Sequence, residues 1–242
     1  MEKQRLPDTP FWVEPDRIVE DHLRLSAEES HHLLRVFRAT PGTPFQATDG
    51  QGAFFECVLE SVERRSAVGR IVERREGWGE LPRSIHLLVG LPEWRAVEQV
   101  VEHAVPLGAS AIDFVVCDRS GREVLGAQRI ARLERIARAA LKQSRRSRLP
   151  ILSSSPSLAG AVRALNPGER YYGDPAGRPF SRSSTESPQT PLQLAVGPSG
   201  GFTEEERRFL TEAGFSPISL GPSRLTTETA SLALISLARN SL

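Results

Sequence analysis

Two periodicities of apolar residues divide the chain. Over the first eighty positions the apolar runs are short and alternate with polar residues, as half-buried strands do. Residues 23–25 predict a short strand. Ser26-Ala27-Glu28-Glu29 then opens a helix as a capping box, and the helix carries His31, Leu34 and Phe37 until Pro41-Gly42 breaks it. Pro44–Thr48 and residues 53–59 predict a hairpin around Asp49-Gly50-Gln51-Gly52, and residues 68–72 a further strand. Residues 77–82, with two glycines and a proline, read as a linker.

From residue 85 the pattern changes. Residues 85–89 and 112–116 are continuous apolar runs, as expected of strands buried on both faces. Helical spacing occurs at 94–105, 128–144, 204–213 and 228–238, and further strands at 149–152, 171–172, 194–196 and 218–220. Residues 174–191, rich in Pro, Ser and Thr, are expected to form a mobile loop. There is no internal repeat. Strands alternating with helices point to an α/β domain with a mostly parallel sheet, behind a smaller β-rich one.

Composition narrows the class. With 242 residues, 39% apolar and 25% charged, the chain is ordinary for a globular protein. No run nears the eighteen or so apolar residues of a membrane span, and the start MEKQRLPDTP has no signal-peptide core, so no membrane partner is expected. Cys57 and Cys117 have no His or Cys neighbours at ligand spacing, which argues against a disulfide framework and a metal site and fits a reducing cytoplasm. The net charge of +1 hides an asymmetry: residues 1–80 hold 11 Lys/Arg against 15 Asp/Glu, and residues 81–242 hold 20 against 15. Residues 119–148 hold ten basic residues and two acidic ones, Glu123 and Glu134. An acidic polymer would meet that segment first.

Two stretches share one grammar. Ala195-Val196-Gly197-Pro198-Ser199-Gly200-Gly201-Phe202-Thr203 runs from an apolar strand through a glycine-rich turn to a helix start at Thr203. Leu220-Gly221-Pro222-Ser223-Arg224-Leu225-Thr226-Thr227-Glu228-Thr229-Ala230 repeats strand, Gly-Pro, loop and helix. Glycines at a strand's carboxyl end let the backbone approach a ligand closely, where open α/β sheets bind. Each alone reads equally well as a tight turn, and Thr227 as a helix cap. Together the two loops could wall one pocket. On helix 128–144, Arg129, Arg132, Arg135, Arg138, Lys142 and Arg145 share a broad face opposite Leu133, Ala137 and Leu141. Its single sign of charge favours contact with RNA or another phosphate polymer over a merely solvated face. His31-His32 at a helix start is more often structural. Walker and GxGxxG motifs are absent.

In order and spacing these pieces resemble the RsmE family of small-subunit ribosomal RNA uracil-N3 methyltransferases. The resemblance rests on residues 31–38 and 45–50, Leu107-Gly108-Ala109, Asp118-Arg119-Ser120, Gln143-Ser144 with Arg145 or Arg146, Pro150, and the two Gly-Pro loops. It implies a PUA-like β-barrel over residues 1–78 and a SPOUT-type α/β domain over 82–242 whose C-terminal end threads a trefoil knot. It also implies S-adenosyl-L-methionine as cofactor, ribosomal RNA or the small ribosomal subunit as partner, no metal, and a homodimer with a shared active site. The implied cofactor residues are Gly173, Val196, Gly197, Pro198, Ser199, Gly200, Gly201, Leu220, Gly221, Leu225, Thr227 and Thr229. His32, Arg35, Arg38, Arg119, Arg132, Arg135 and Arg138 are the implied RNA contacts. N3–H of uracil is a weak acid, so Glu228 is a candidate base and Arg145 or Arg146 a candidate stabiliser of the anion.

The chain departs from the family pattern where charge is concerned. Ser199 stands where the family has Glu, Thr226 where it has Arg, Lys142 where it has Glu, and Glu93 near a usual Lys, while His103 to Gly108 replaces Lys-Ala-Thr-Glu-Leu-Gly. The loop-shaping glycines and prolines remain. Two alternatives stay open: a degenerate relative that binds RNA without methyl transfer, or an enzyme acting on another RNA site.

Overall fold

The computed structural model describes residues 9–64, 66–121, 123–180 and 189–240. They fall into two units, residues 1–80 with 138–149, and residues 81–137 with 150–242. The break near residue 80 lies beside the expected linker, while Arg138–Leu149 groups with the first unit.

The first unit is a curled sheet. Its elements are β1 (Phe11–Trp12), β2 (Ile18–Val19), β3 (His22–Arg24), α1 (Ala27–His31), β4 (Pro44–Thr48), β5 (Ala53–Glu63) and β6 (Ser66–Glu76). The sheet order is β1-β4-β5-β6-β3-β2, antiparallel except for β1 on β4. Its outer strands do not pair with each other among the described residues, so the expected barrel is an open sheet that curls. The curl follows from register slips in the long β5–β6 hairpin, between Glu56 and Cys57 and between Leu59 and Ser61. Inside lie Phe11, Leu23, Leu33, Phe45, Phe55 and Leu59.

Only half of the expected capping box forms. Ser26 Oγ accepts the Glu29 N–H at 3.2 Å, but the Glu29 carboxylate goes to Lys142 Nζ at 2.5 Å. Segment 77–80 is also no free linker. Trp78 stacks on Phe54 with ring centroids 5.6 Å apart, and Glu80 accepts from Arg146, Ser147 N–H and Arg148 N–H at 2.5, 3.0 and 2.9 Å.

The second unit is the α/β layer. It comprises β7 (Ile85–Gly90), α2 (Trp94–Ala104), β8 (Ala109–Val115), α3 (Ala127–Ser144, shared with the first unit from Arg138), β9 (Ile151–Ser155), α4 (Leu158–Arg163), β10 (Glu169–Pro179), β11 (Leu192–Val196), α5 (Glu204–Glu212), β12 (Ser216–Ser219) and α6 (Thr227–Asn240). Among the described residues its strand pairings are all parallel, in the order β12-β10-β11-β7-β8-β9. Leu88, Val115, Tyr172 and Ala195 pack under Leu158 of α4 and Leu210 of α5. By strand alternation Leu87, Val89 and Leu194 point to the other face, where α2 and α6 lie. Helix α4 escaped the periodicity because it is only six residues long.

One expectation fails. Residues 174–179 are strand: β10 continues through them and pairs Arg178 with Ile218 and Pro179 with Ser219, after a register slip beyond Gly173. Pairing to β12 supplies the hydrogen bonds that composition did not promise. Residues 181–188 of that expected loop lie outside the described residues, and 180 and 189–191 are irregular.

At the amino end of the sheet, Arg83 is fully buried and its Nη2 donates to Glu169 Oε1 at 3.0 Å; the Glu169 side chain is 6% exposed. Tyr171 Oη donates to the other carboxylate oxygen at 3.0 Å. Removing one partner leaves a buried uncompensated charge, whereas replacing both with apolar groups does not. Glu169→Ala should therefore cost about 3–5 kcal/mol in urea unfolding, and Arg83→Met/Glu169→Leu should restore most of it. Equal losses in the single and double variants would refute the ion-pair account.

Candidate functional site

The carboxyl ends of β11 and β12 run into the two Gly-Pro loops. After Val196 the chain turns sharply, with Gly201 N–H donating to Pro198 O at 2.7 Å. A Cβ at Gly197 would stand 2.8 Å from the Phe202 backbone nitrogen, so only glycine closes this turn. Thr203 then caps α5 in a reciprocal box with Glu206. One Glu206 oxygen also accepts the Asp118 N–H at 2.9 Å, which fixes the loop after β8.

The second loop passes through Gly221 at φ +108°, a conformation L side chains rarely adopt. It ends at Thr227, the first residue of α6. The Thr227 hydroxyl does not cap the helix; it donates to Gly197 O at 3.1 Å, buried. Ser231 Oγ holds the same residue by donating to Thr227 O at 2.8 Å. The two loops are thus tied to each other.

The slip in β10 provides a third wall. Gly173, Asp174 and Pro175 bulge where pairing to β12 is interrupted, and Asp174 Oδ1 accepts the Ala176 N–H at 2.8 Å. The result is a cavity of about 490 Å3 at the ends of three adjacent strands, within the range of small-molecule and cofactor sites. Its wall is backbone-rich, with Val196, Leu220 and Leu225 as apolar surfaces. Four charges edge it: Asp174, and Arg119, Arg207 and Arg224. Arg207 lies 2.6 Å from Glu204 and 3.8 Å from Asp174. Arg119 and Arg224 instead hold the turn, donating to Gly200 O at 3.0 Å and Ser199 O at 3.2 Å. Neither cysteine offers a nucleophile. Burial pushes the Cys57 thiol up to about 12, and burial, with Glu206 nearby, pushes Cys117 up as well.

Gly173, Val196, Gly197, Pro198, Ser199, Gly200, Gly201, Leu220, Gly221, Leu225 and Thr227 all line this cavity, and so does Arg119. Thr229 does not: its hydroxyl pairs with that of Thr226 at 2.9 Å. Glu228 is half-buried and stands outside the lining. Arg224, within the second Gly-Pro stretch, also reaches the wall, while Asp174, Pro175 and Arg207 are wall residues that sequence reasoning missed. The first two fell in the supposed loop, and Arg207 carries no local motif.

The remaining candidates belong elsewhere. In the first unit His32 packs edge-on against Phe37 at 5.0 Å, and Arg35 and Arg38 are exposed, Arg38 at φ +53°. Arg146 is buried and spent on Glu80. Arg145 adopts φ +58°, its Nη2 donates to Gln46 at 3.0 Å, and its Nε is buried without a hydrogen-bond partner among the described residues. The basic face of α3 is not of one sign once folded. Arg132 pairs with Glu98, Arg138 with Glu14 at 3.2 Å and Lys142 with Glu29 at 2.5 Å. Arg138 also lies 4.0 Å over the Trp12 ring. Arg135 is exposed. The carboxylates come from distant sequence positions, which helix-local spacing could not reveal. Among the described residues there is no cluster of three metal-ligating side chains, and no helix is long and apolar enough to cross a membrane.

Comparison with known proteins agrees with this architecture. Residues 79–239 match the RNA methyltransferase domain family, and residues 25–72 the RNA methyltransferase PUA domain. The chain is 28% identical over 225 residues to ribosomal RNA small subunit methyltransferase E of Synechocystis, covering 90% of this chain and 73% of that protein. The structure of ribosomal RNA small subunit methyltransferase E from Neisseria gonorrhoeae, bound to S-adenosyl methionine, aligns with TM-score 0.83 at 26% identity, covering 96% of this chain and 97% of that one. A Legionella pneumophila methyltransferase in complex with the same cofactor aligns with TM-score 0.78 at 26% identity and the same coverage. With two thirds of its length matched from strand β7 to helix α6, the chain belongs to the RNA methyltransferase domain family.

Proposed function

We propose that the protein transfers the methyl group of S-adenosylmethionine to N3 of a uridine in small-subunit ribosomal RNA, working as a homodimer. The observation that carries this reading is the cavity walled by the two tied Gly-Pro loops and the β10 bulge. The likeness to ribosomal RNA small subunit methyltransferases and to two cofactor-bound structures supports it. The residues fit such a cofactor: close backbone from Gly197 to Gly201 and at Gly221, apolar surface from Leu220 and Leu225, and a carboxylate, Asp174, for polar groups. When bound, the cofactor supplies an electrophilic methyl on a sulfonium.

The chain's own residues then manage the proton and the charge. Uracil N3 must lose its proton before its lone pair forms the new N–C bond as the methyl–sulfur bond breaks. Glu228, one residue beyond the loop staple, is the carboxylate proposed to take that proton. Between the two arginines first considered for the uracil anion, Arg145 is favoured. Glu80 already neutralises Arg146, whereas Arg145 is held off the usual backbone regions with donor capacity left. A second copy of the chain is the proposed source of this guanidinium, in line with the prevalence of twofold association.

Three outcomes follow. Gly197→Val and Gly221→Val should each weaken S-adenosylmethionine binding in calorimetry by roughly tenfold or more, the first because its Cβ meets the Phe202 nitrogen and the second because φ +108° strains an L residue by about 1–3 kcal/mol; undiminished binding in both would remove these loops from the site. Glu228→Gln should lower kcat by about a hundredfold or more with cofactor affinity unchanged, as expected for loss of a general base; an unaltered kcat would assign the proton elsewhere. Light scattering at micromolar concentration should give twice the chain mass, and a clean monomer would end the shared-site reading.

A further inference from the structure

The distribution of neutralised and unneutralised arginines adds a place for RNA contact beyond α3. Three of the five cations of α3 pair with carboxylates, Arg132 with Glu98, Arg138 with Glu14 and Lys142 with Glu29, while Arg129 lies 5.2 Å over the Trp94 ring and Arg135 is exposed. A phosphate there competes with a carboxylate for the same donors. Arg119 and Arg224 differ. They come from separate loops, after β8 and after β12, and grip consecutive carbonyls of one turn, Gly200 O at 3.0 Å and Ser199 O at 3.2 Å. A carbonyl neutralises no charge. The nearest carboxylate in sequence, Asp118, is engaged by the Thr203 hydroxyl at 3.2 Å and its own N–H by Glu206. Both guanidiniums are exposed and both line the mouth of the cavity. Each has five N–H donors in a planar fork, with one donor bonded to the turn. The turn therefore fixes the position of two forks and leaves their charge and most of their donors facing outward.

The geometry points to Arg119 and Arg224 as a paired receptor for a phosphodiester of the RNA, next to the nucleotide presented to the cavity. This inference rests on the methyltransferase reading above and adds which group of the substrate is held and by what. Planar guanidiniums suit bidentate contact with phosphate oxygens. Holding the backbone at the cavity mouth orients a base that the mainly backbone-lined wall could not orient alone.

The test measures two affinities in the full-length protein: for S-adenosylmethionine by calorimetry, and for unmodified small-subunit ribosomal RNA, naked and assembled into the subunit, at salt from about 50 to 200 mM. Arg119→Gln/Arg224→Gln should bind RNA roughly tenfold more weakly at low salt, with the slope of log K against log salt shallower by about 0.7 for each phosphate no longer neutralised. Its cofactor affinity, which also feels the loss of two hydrogen bonds to the Ser199–Gly200 turn, should fall by less than its RNA affinity. Arg163→Gln/Arg208→Gln, which removes the same charge from exposed positions on α4 and α5, should leave the slope as it is. Arg119→Lys/Arg224→Lys should recover the slope but only part of the affinity, because an ammonium lacks the fork. An unchanged slope in the double Gln variant overturns the proposal. So does a variant that loses cofactor affinity while keeping RNA affinity, which would assign the arginines to the cofactor's carboxylate. Wild-type protein that binds neither ligand would instead overturn the underlying methyltransferase reading.

Discussion

One buried hydrogen bond, from the Thr227 hydroxyl to the Gly197 carbonyl, sets the geometry of the site. It joins loops that follow different strands, β11 and β12, which are not neighbours in the sheet: β10 lies between them. Without it the loops would be separate strand-to-helix turns with no reason to face a common space. Its partners reinforce it from both sides. The Gly197 turn cannot relax outward without breaking the close approach to Phe202, and Thr227 is itself held by Ser231 one helical turn later. A buried donor or acceptor left unpaired costs about 1–3 kcal/mol, so the staple is worth more than its mean strength suggests.

Charge is distributed in a way that separates structure from function. Buried or neutralised cations hold the fold: Arg83 on Glu169 under the sheet, Arg146 on Glu80, Lys142 on Glu29. Arg119 and Arg224 at the cavity are bonded to carbonyls and keep their charge. Arg145 is a third type, with an unusual backbone conformation and a buried Nε that has no hydrogen-bond partner among the described residues. Strain of that kind persists where the surroundings over-determine it, and is commonest at sites of chemistry.

Much of this was legible in the chain. Buried parallel strands announced themselves as continuous apolar runs, and the repeated Gly-Pro grammar marked both loops that line the cavity. The illegible parts share a cause, dependence on partners remote in sequence. Residues 174–179 look too polar and proline-rich for a strand until β12 pairs with Arg178 and Pro179 beyond the bulge. The basic face of α3 looks free until Glu14, Glu29 and Glu98 arrive from other elements. Thr227 reads as a cap because the acceptor it actually uses lies thirty residues back.

The account stands on the claim that the stapled loops form the cofactor site, and Thr227→Val addresses it with almost no change in shape. Calorimetric titration of S-adenosylmethionine into folded wild type and variant is the direct measurement. One site per chain in the wild type, weakened roughly tenfold in the variant by loss of the bond and exposure of the Gly197 carbonyl, is the predicted result. Equal affinity in the two proteins would contradict the claim.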